Sequence, residues 1–129
     1  MSSEQNKAVV RRFIEAINAQ DYGTLDEVNS PELAEEMKGL VPWISATFGP
    51  GHHITITDMI AEDDKVVARL ATRGSHTGEW HGIPPTYKEW TNTGVYFLRL
   101  ADNKIIESDF LFDELGHVKK LGGTITPPS

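Results

Sequence analysis

The 129-residue chain contains no cysteine. That excludes disulfides, thiolate nucleophiles and cysteine-ligated zinc, and it fits a reducing compartment. Positive charge is scarce: 12 lysines and arginines stand against 19 aspartates and glutamates, for a formal net charge of −7. Without a basic stripe there is nothing to neutralise phosphates, so no nucleic-acid partner is expected. Docking on an anionic membrane surface is excluded on the same ground. The acidic balance reads as a solubilising surface. Long apolar runs are missing too, and nothing approaches the roughly 20 apolar residues that a helical membrane span needs. The N-terminal stretch MSSEQNKAVVRRFIEA has neither the apolar core nor the small-residue cleavage site of a signal peptide. A cytoplasmic location is therefore expected.

No internal repeat and no linker divides the chain. One domain over residues 1–122 is expected, followed by a flexible tail over 123–129 that ends in Pro127 and Pro128. A domain of this size buries roughly two thirds of its unfolded surface, enough for a core without metal or disulfide staples.

The first half reads as helix. Ser2 followed by Gln5 makes a capping box. Val9, Val10, Phe13, Ile14 and Ile17 recur at helical spacing and form one apolar stripe. Asp21-Tyr22-Gly23 breaks it, and Leu25 with Val28 marks a short second helix. Ser30-Pro31 opens a third piece, with a side-chain cap followed by proline at the first helical position. Gly39 is expected to close it and Pro42 to open another, carrying Trp43, Ile44 and Phe48, until Gly49-Pro50-Gly51.

The second half reads as strand. Ile54, Ile56 and Asp58 alternate with Thr55 and Thr57. After a turn at 62–65, Val66, Ala68, Leu70 and Thr72 are expected to face inward, while Arg69 and Arg73 face outward. A long strand runs from about Lys88 to Leu100, Ala101–Lys104 is a hairpin turn, and a last strand runs from Ile105 to about Asp113. Residues 115–121 close as a short helix. Helices first and an antiparallel meander second give an α+β fold. A curved sheet wrapped on helices leaves an internal pocket, the usual place for a small ligand.

The segment Gly74–Thr86, GSHTGEWHGIPPT, resembles the His-x-Gly then Gly-x-Pro-Pro-Thr signature of the SnoaL-like polyketide and ester cyclases, in the nuclear-transport-factor-2-like superfamily. Val10–Phe13 with Ala16 and Asn18 resembles that family's first helix. Trp43–Phe48 is similar to its third, and RLADNKI (99–105) and GHVKKLG (116–122) to the end of its sheet and its closing turn. The resemblance implies a cone-shaped domain and cofactor-free chemistry. A buried aspartate removes a proton beside a carbonyl, and the enolate closes a ring in an intramolecular aldol reaction. No cofactor and no metal are expected: His52 and His53 are neighbours on a strand and point apart, and His81 has no acidic partner at ligand spacing.

The sequence departs from that pattern at its centre. Where the family's last strand reads Glu-His-Trp-Asp, this chain reads Glu107-Ser108-Asp109-Phe110. A one-residue shift on a strand changes the face. Alternation puts Ile106, Ser108, Phe110 and Phe112 inside and Glu107, Asp109 and Asp113 outside, unless a β-bulge near Ser108 reverses them. Where the cyclases place a pocket glutamine and histidine, this chain has Gly94 and Tyr96. Tyr96 can donate a hydrogen bond but, with an ordinary pKa of roughly 10, is a poor base. Glu35 lands near a substrate-contacting asparagine of the family, in a shorter loop.

The candidate catalytic residues are therefore His76, Tyr96 and Asp109. The expected pocket wall is Phe13, Ile17, Glu35, Trp43, Phe48, Leu70, Trp80, Leu98, Ser108, Phe110 and Phe112. The ligand class is a small apolar, aromatic or polyketide-like carbonyl compound. Two functions fit: a cyclase-like or isomerase-like catalyst with altered acid/base residues, and a non-catalytic binding or dimeric module. Water addition would need a carboxylate and a polar partner facing each other in the cavity, and no such pair stands out in the sequence. The resemblance also implies a homo-oligomer, a dimer or tetramer, joined through the outer sheet face with Arg69, Arg73 and Asp109 on it.

Overall fold

The computed structural model describes residues 2–128. Met1 and Ser129, the outer ends of the expected domain and tail, lie outside them. Three helices come first: α1 (Ser3–Ala19), α2 (Tyr22–Val28) and α3 (Pro31–Phe48). Four strands follow: β1 (His53–Glu62), β2 (Lys65–Ser75), β3 (Glu89–Ala101) and β4 (Lys104–Phe112). A last helix, α4 (Glu114–Lys120), ends the regular structure. The strands form one antiparallel sheet in the order β1-β2-β3-β4, curved into an α+β cone. No helix among the described residues is long and apolar enough to cross a membrane.

Local chemistry sets the helix starts. Ser2 Oγ accepts from the Gln5 N–H at 3.1 Å, and Gln5 Oε1 accepts from the Ser2 N–H at 2.7 Å, completing the capping box. Asp21 caps α2 through the Thr24 N–H, and Ser30 caps α3 through the Leu33 N–H. Contrary to the expectation from Gly39 and Pro42, α3 is one uninterrupted helix. Both residues lie on its exposed side, where water can take the carbonyl that Pro42 leaves unpaired. Ala34, Met37 and Val41 are buried at three- and four-residue spacing and hold the helix across them.

The sheet interior follows the period of two. Val66, Ala68, Leu70 and Thr72 of β2 are buried, and β3 buries every second residue from Trp90 to Leu100. Two irregularities correct the simple alternation. In β1 the register shifts between Ile56 and Asp58, so Asp58 is exposed and Met59 packs on the core. In the β3–β4 pair the register shifts after Leu100↔Ile105, and the next pair is Arg99↔Glu107. Ile106 is the extra residue. It is exposed, not inward, because Ile105 has taken the core position. Beyond the bulge, Ser108, Phe110 and Phe112 pair with Leu98, Tyr96 and Gly94 on the inner face, and Asp109 pairs with exposed Phe97 on the outer one.

The interior has two parts. Under α1 and α2, Val10, Phe13, Leu25, Val66, Leu70 and Ile105 make a sealed aliphatic core. Toward the far end of α3, Phe48, Trp80, Trp90 and Leu121 form a separate aromatic cluster.

Candidate functional site

A cavity of about 350 Å³ opens between these two parts. Its helical wall is Ile17 of α1 with Leu40, Trp43 and Ile44 of α3. Its sheet wall is Ile54, Thr72, Trp90, Asn92, Tyr96, Phe110 and Phe112. His52 before β1, Trp80 and His81 from the β2–β3 loop, and Glu114 and His117 of α4 complete it. A larger hollow between α1 and β1, lined by Arg11, Glu15, His53 and Asp58 among others, is more open, of mixed polarity, and has no such aromatic wall.

The β2–β3 loop is held in place by its own backbone. The N–H groups of Thr77 and Gly78 donate to the Thr47 carbonyl, which satisfies the end of α3. Gly78 is required there: a Cβ would stand 2.8 Å from the Ala46 carbonyl oxygen. Trp80 and Ile83 exchange two backbone bonds around His81 (φ 51°) and Gly82 (φ 78°), a tight two-residue turn with both central residues left-handed. His76 is fully buried at the root of the loop. Its Nδ1 accepts from the Thr86 N–H at 3.1 Å, so the proton sits on Nε2, a buried atom without a partner.

Aromatic rings dominate the walls. Phe48 meets Trp43, Trp80, Trp90 and His117 edge-on with centroids 5.3–5.6 Å apart. Phe110 lies 4.8 Å from Tyr96 and stacks on Phe112 at 5.5 Å. The Phe110 ring fills the place that a side chain at 94 would need, since a Cβ on Gly94 would meet it at 2.6 Å.

The polar groups in this cavity are mostly donors. Asn92 Oδ1 accepts from the Thr93 N–H at 2.8 Å, which orients its amide. Its Nδ2 then donates to the Asp113 carbonyl and to His117 Nδ1, 3.0 Å away. His117 is thereby a neutral imidazole with its proton on Nε2, again buried and unpartnered. Burial lowers its pKa to about 4, helped by the charge of Lys120. His52, tilted on Trp90 at 5.8 Å, is lowered to about 4 by burial and by His53. Burial pushes the Tyr96 hydroxyl up to about 12, so it stays protonated. Trp90 Nε1 is a further buried N–H without a partner.

Tyr96 and five of the residues expected in the wall, Ile17, Trp43, Trp80, Phe110 and Phe112, line this cavity. Others stand elsewhere. Phe13, Leu70 and Leu98 are packed into the aliphatic core beneath it, because α1 and α2 cover that half of the sheet. Phe48 lies behind the wall in the aromatic cluster. Ser108 is on the inner face of β4 next to Leu98, away from the opening. Glu35 is exposed on α3 and paired with Lys38 at 2.9 Å, as its place in a solvated helix face dictates. Two candidate catalytic groups do not line the cavity, and for Asp109 this is the outward face that alternation along β4 predicts. Asp109 points outward because the bulge at Ile106 precedes it, and His76 is spent on holding the loop.

His52, Asn92, Glu114 and His117 were not legible as site residues. His117 lies in the closing GHVKKLG segment, and only the docking of α4 carries it to the cavity. His81 Nε2 stands 2.5 Å from Glu114 Oε1 at the mouth, a histidine–carboxylate pair 33 residues apart in sequence. Among the described residues no group of three or more His, Cys, Asp or Glu is arranged to hold a metal ion.

The same architecture and sequence pattern occur in known proteins. TsrD from Streptomyces laurentii superposes with a TM-score of 0.87 at 22% identity, covering 96% of this chain and 99% of that one. The aklanonic acid methyl ester cyclase AcmA of Streptomyces galilaeus is 30% identical over 131 residues, 89% of each chain. The aklanonic acid methyl ester cyclase DnrD of Streptomyces peucetius is 28% identical over 88% of each. The family model for SnoaL-like polyketide cyclases matches residues 7–121. With sheet, cavity and signature loop all in place, the chain belongs to the SnoaL-like polyketide cyclase family.

Proposed function

We propose that the cavity binds a flat, apolar carbonyl compound of the polyketide kind and acts on it without the strand aspartate of the family pattern. One observation carries this reading. Phe110, against Tyr96 and Phe112, occupies the cavity where the resemblance implies the acid/base carboxylate, and Asp109 faces the other way. Aromatic walls favour a planar ligand through offset and edge contacts. A neutral Tyr96 O–H in the cavity wall is a donor, which suits a carbonyl or enolate oxygen. Tyr96 then serves as the donor that stabilises charge developing on oxygen.

Aklanonic acid methyl ester, the compound named for the relatives, is the first ligand to try. Trp43, Trp80 and Trp90 all line the cavity, so its binding should quench intrinsic fluorescence. Asp109→Asn should leave quenching and any turnover unchanged, whereas Phe110→Asp should weaken binding at least tenfold. Loss of turnover in Asp109→Asn would sink the reading. Tight binding with the ester recovered unchanged would favour the non-catalytic alternative.

The domain is taken to end near residue 122, and its setting to be the cytoplasm, supported by the lack of cysteine. The outer sheet face carries exposed Ile60, Phe97 and Leu111, and a second copy is the proposed cover, giving a dimer or tetramer. A monomeric mass by light scattering at micromolar concentration would refute that.

A further inference from the structure

The inner faces of the strands bring no carboxylate to the cavity, but its mouth has one. We propose that His81 and Glu114 are the acid/base pair of this site, with His81 as the catalytic base and acid and Glu114 as its positioning residue. The proposal rests on the reading of the cavity as a binding site for a flat carbonyl compound, and it supplies the proton-transfer group that this reading leaves open.

Six observations support it. Both side chains line the cavity, and both are about half exposed, so the imidazole can exchange protons with solvent between turnovers. Glu114 Oε1 lies 2.5 Å from His81 Nε2. A carboxylate there accepts the Nε2–H and leaves the Nδ1 lone pair as the basic site. The His81 ring leans on the Trp80 ring, 4.4 Å between centroids, which sets its plane against an aromatic wall. His81 also holds a left-handed backbone (φ 51°) that few non-glycine residues adopt. Glu79 Oε1 accepts the Gly82 N–H at 2.7 Å and fixes that turn. On the other side, Asp113 caps α4 through the Gly116 N–H at 2.8 Å and fixes the start of the helix that carries Glu114. A strained turn and a capped helix thus present the two groups to each other.

The step balances without a cofactor. His81 Nδ1 takes a proton from the carbon beside a carbonyl, and the C–H electron pair moves onto the carbonyl oxygen as an enolate. Tyr96 donates a hydrogen bond to that oxygen. The enolate carbon attacks a second carbonyl of the same molecule, and the alkoxide formed takes the proton back from Nδ1. Nothing is oxidised or reduced, and the product is an isomer of the substrate.

A flat aromatic probe tests the base directly. In 5-nitrobenzisoxazole a base removes the C3–H proton of the isoxazole ring, the electron pair forms the nitrile, the N–O bond breaks, and the oxygen is left as a coloured phenolate. The full chain should release phenolate saturably. His81→Asn, whose new side chain tolerates the left-handed backbone, should lower kcat at least tenfold with KM changed less than twofold. Glu114→Gln should lower kcat with KM changed less than twofold, and Glu114→Asp should recover part of the loss. A purely structural ion pair would leave kcat where it is. Binding of the unreactive analogue 6-nitrobenzotriazole, followed by tryptophan quenching, shows whether each variant still takes the flat ring. Analogue binding with phenolate release indifferent to both substitutions overturns the proposal alone. Failure of the analogue to bind any of the three proteins overturns the cavity reading and the proposal with it.

Discussion

The two halves of the cone interior are built on the same sheet and differ in nearly everything else. Under α1 and α2 the filling is mainly aliphatic and close-packed, with Phe13, Leu25, Val66, Leu70 and Ile105 at 0% exposure. Between α3, the β2–β3 loop and α4 the filling is aromatic and incomplete, with a cavity in it. Of the four buried side-chain atoms without a partner among the described residues, His76 Nε2, Trp90 Nε1 and His117 Nε2 belong to the aromatic end, and Asn6 Oδ1 to the other. An unmet buried donor costs about 1–3 kcal/mol. One half is therefore organised for stability, and the other gives some of it up around the cavity.

The largest effect that sharpens this contrast should come from the sealed half. Phe13→Ala should cost about 3–5 kcal/mol in urea unfolding, the range for a buried phenylalanine. Trp43→Ala, on the half-exposed rim, should cost about 1 kcal/mol or less and show itself in ligand affinity instead. Comparable losses for the two would erase the distinction.

An intermediate effect is expected where the halves meet. Gly94→Ala puts a methyl group 2.6 Å from the Phe110 ring, so the ring must leave its place against Tyr96. We expect a loss of about 1–3 kcal/mol together with a changed cavity, read from unfolding and from tryptophan quenching by the same ligand. Wild-type values in both would mean that Phe110 is not confined as described.

The last effect, at the histidines of the cavity wall, concerns pH. His52 and His117 have folded-state pKa values lowered to about 4 from an ordinary 6.5. Between those values the unfolded chain binds more protons than the folded one, so stability rises with pH. It should be complete above about pH 6.5 and decline as pH falls toward 4. His117→Gln should flatten that slope. An equally steep slope in the variant would assign the effect to other groups.

Much of the fold was legible because its signals are local. The capping box at Ser2, the cap and proline at Ser30-Pro31, and the alternation of Val66 to Thr72 each need only a few neighbouring residues. Gly39 and Pro42 misled for the same reason: as local signals they end helices, yet buried Ala34, Met37 and Val41 carry α3 across them. The site was legible only in part. The phase of β4 showed that Phe110 and Asp109 take opposite faces, although the alternation also assigned Ile106 inward. Nothing local joins Asn92 to His117, 25 residues apart, or His81 to Glu114. These pairs exist because α4 folds back across the end of the sheet.

The bulge at Ile106 has a consequence well beyond its own hairpin. Counted on from Leu100↔Ile105 without an extra residue, the ladder would set Asp109 opposite Tyr96, inside the cone, and turn Phe110 out. The chemical character of the chamber is thus fixed like a reading frame, by a single inserted unit upstream of the residues it governs. A lineage could exchange a carboxylate for an aromatic ring there, or reverse the exchange, through one insertion or deletion near the hairpin, with no substitution in the cavity at all.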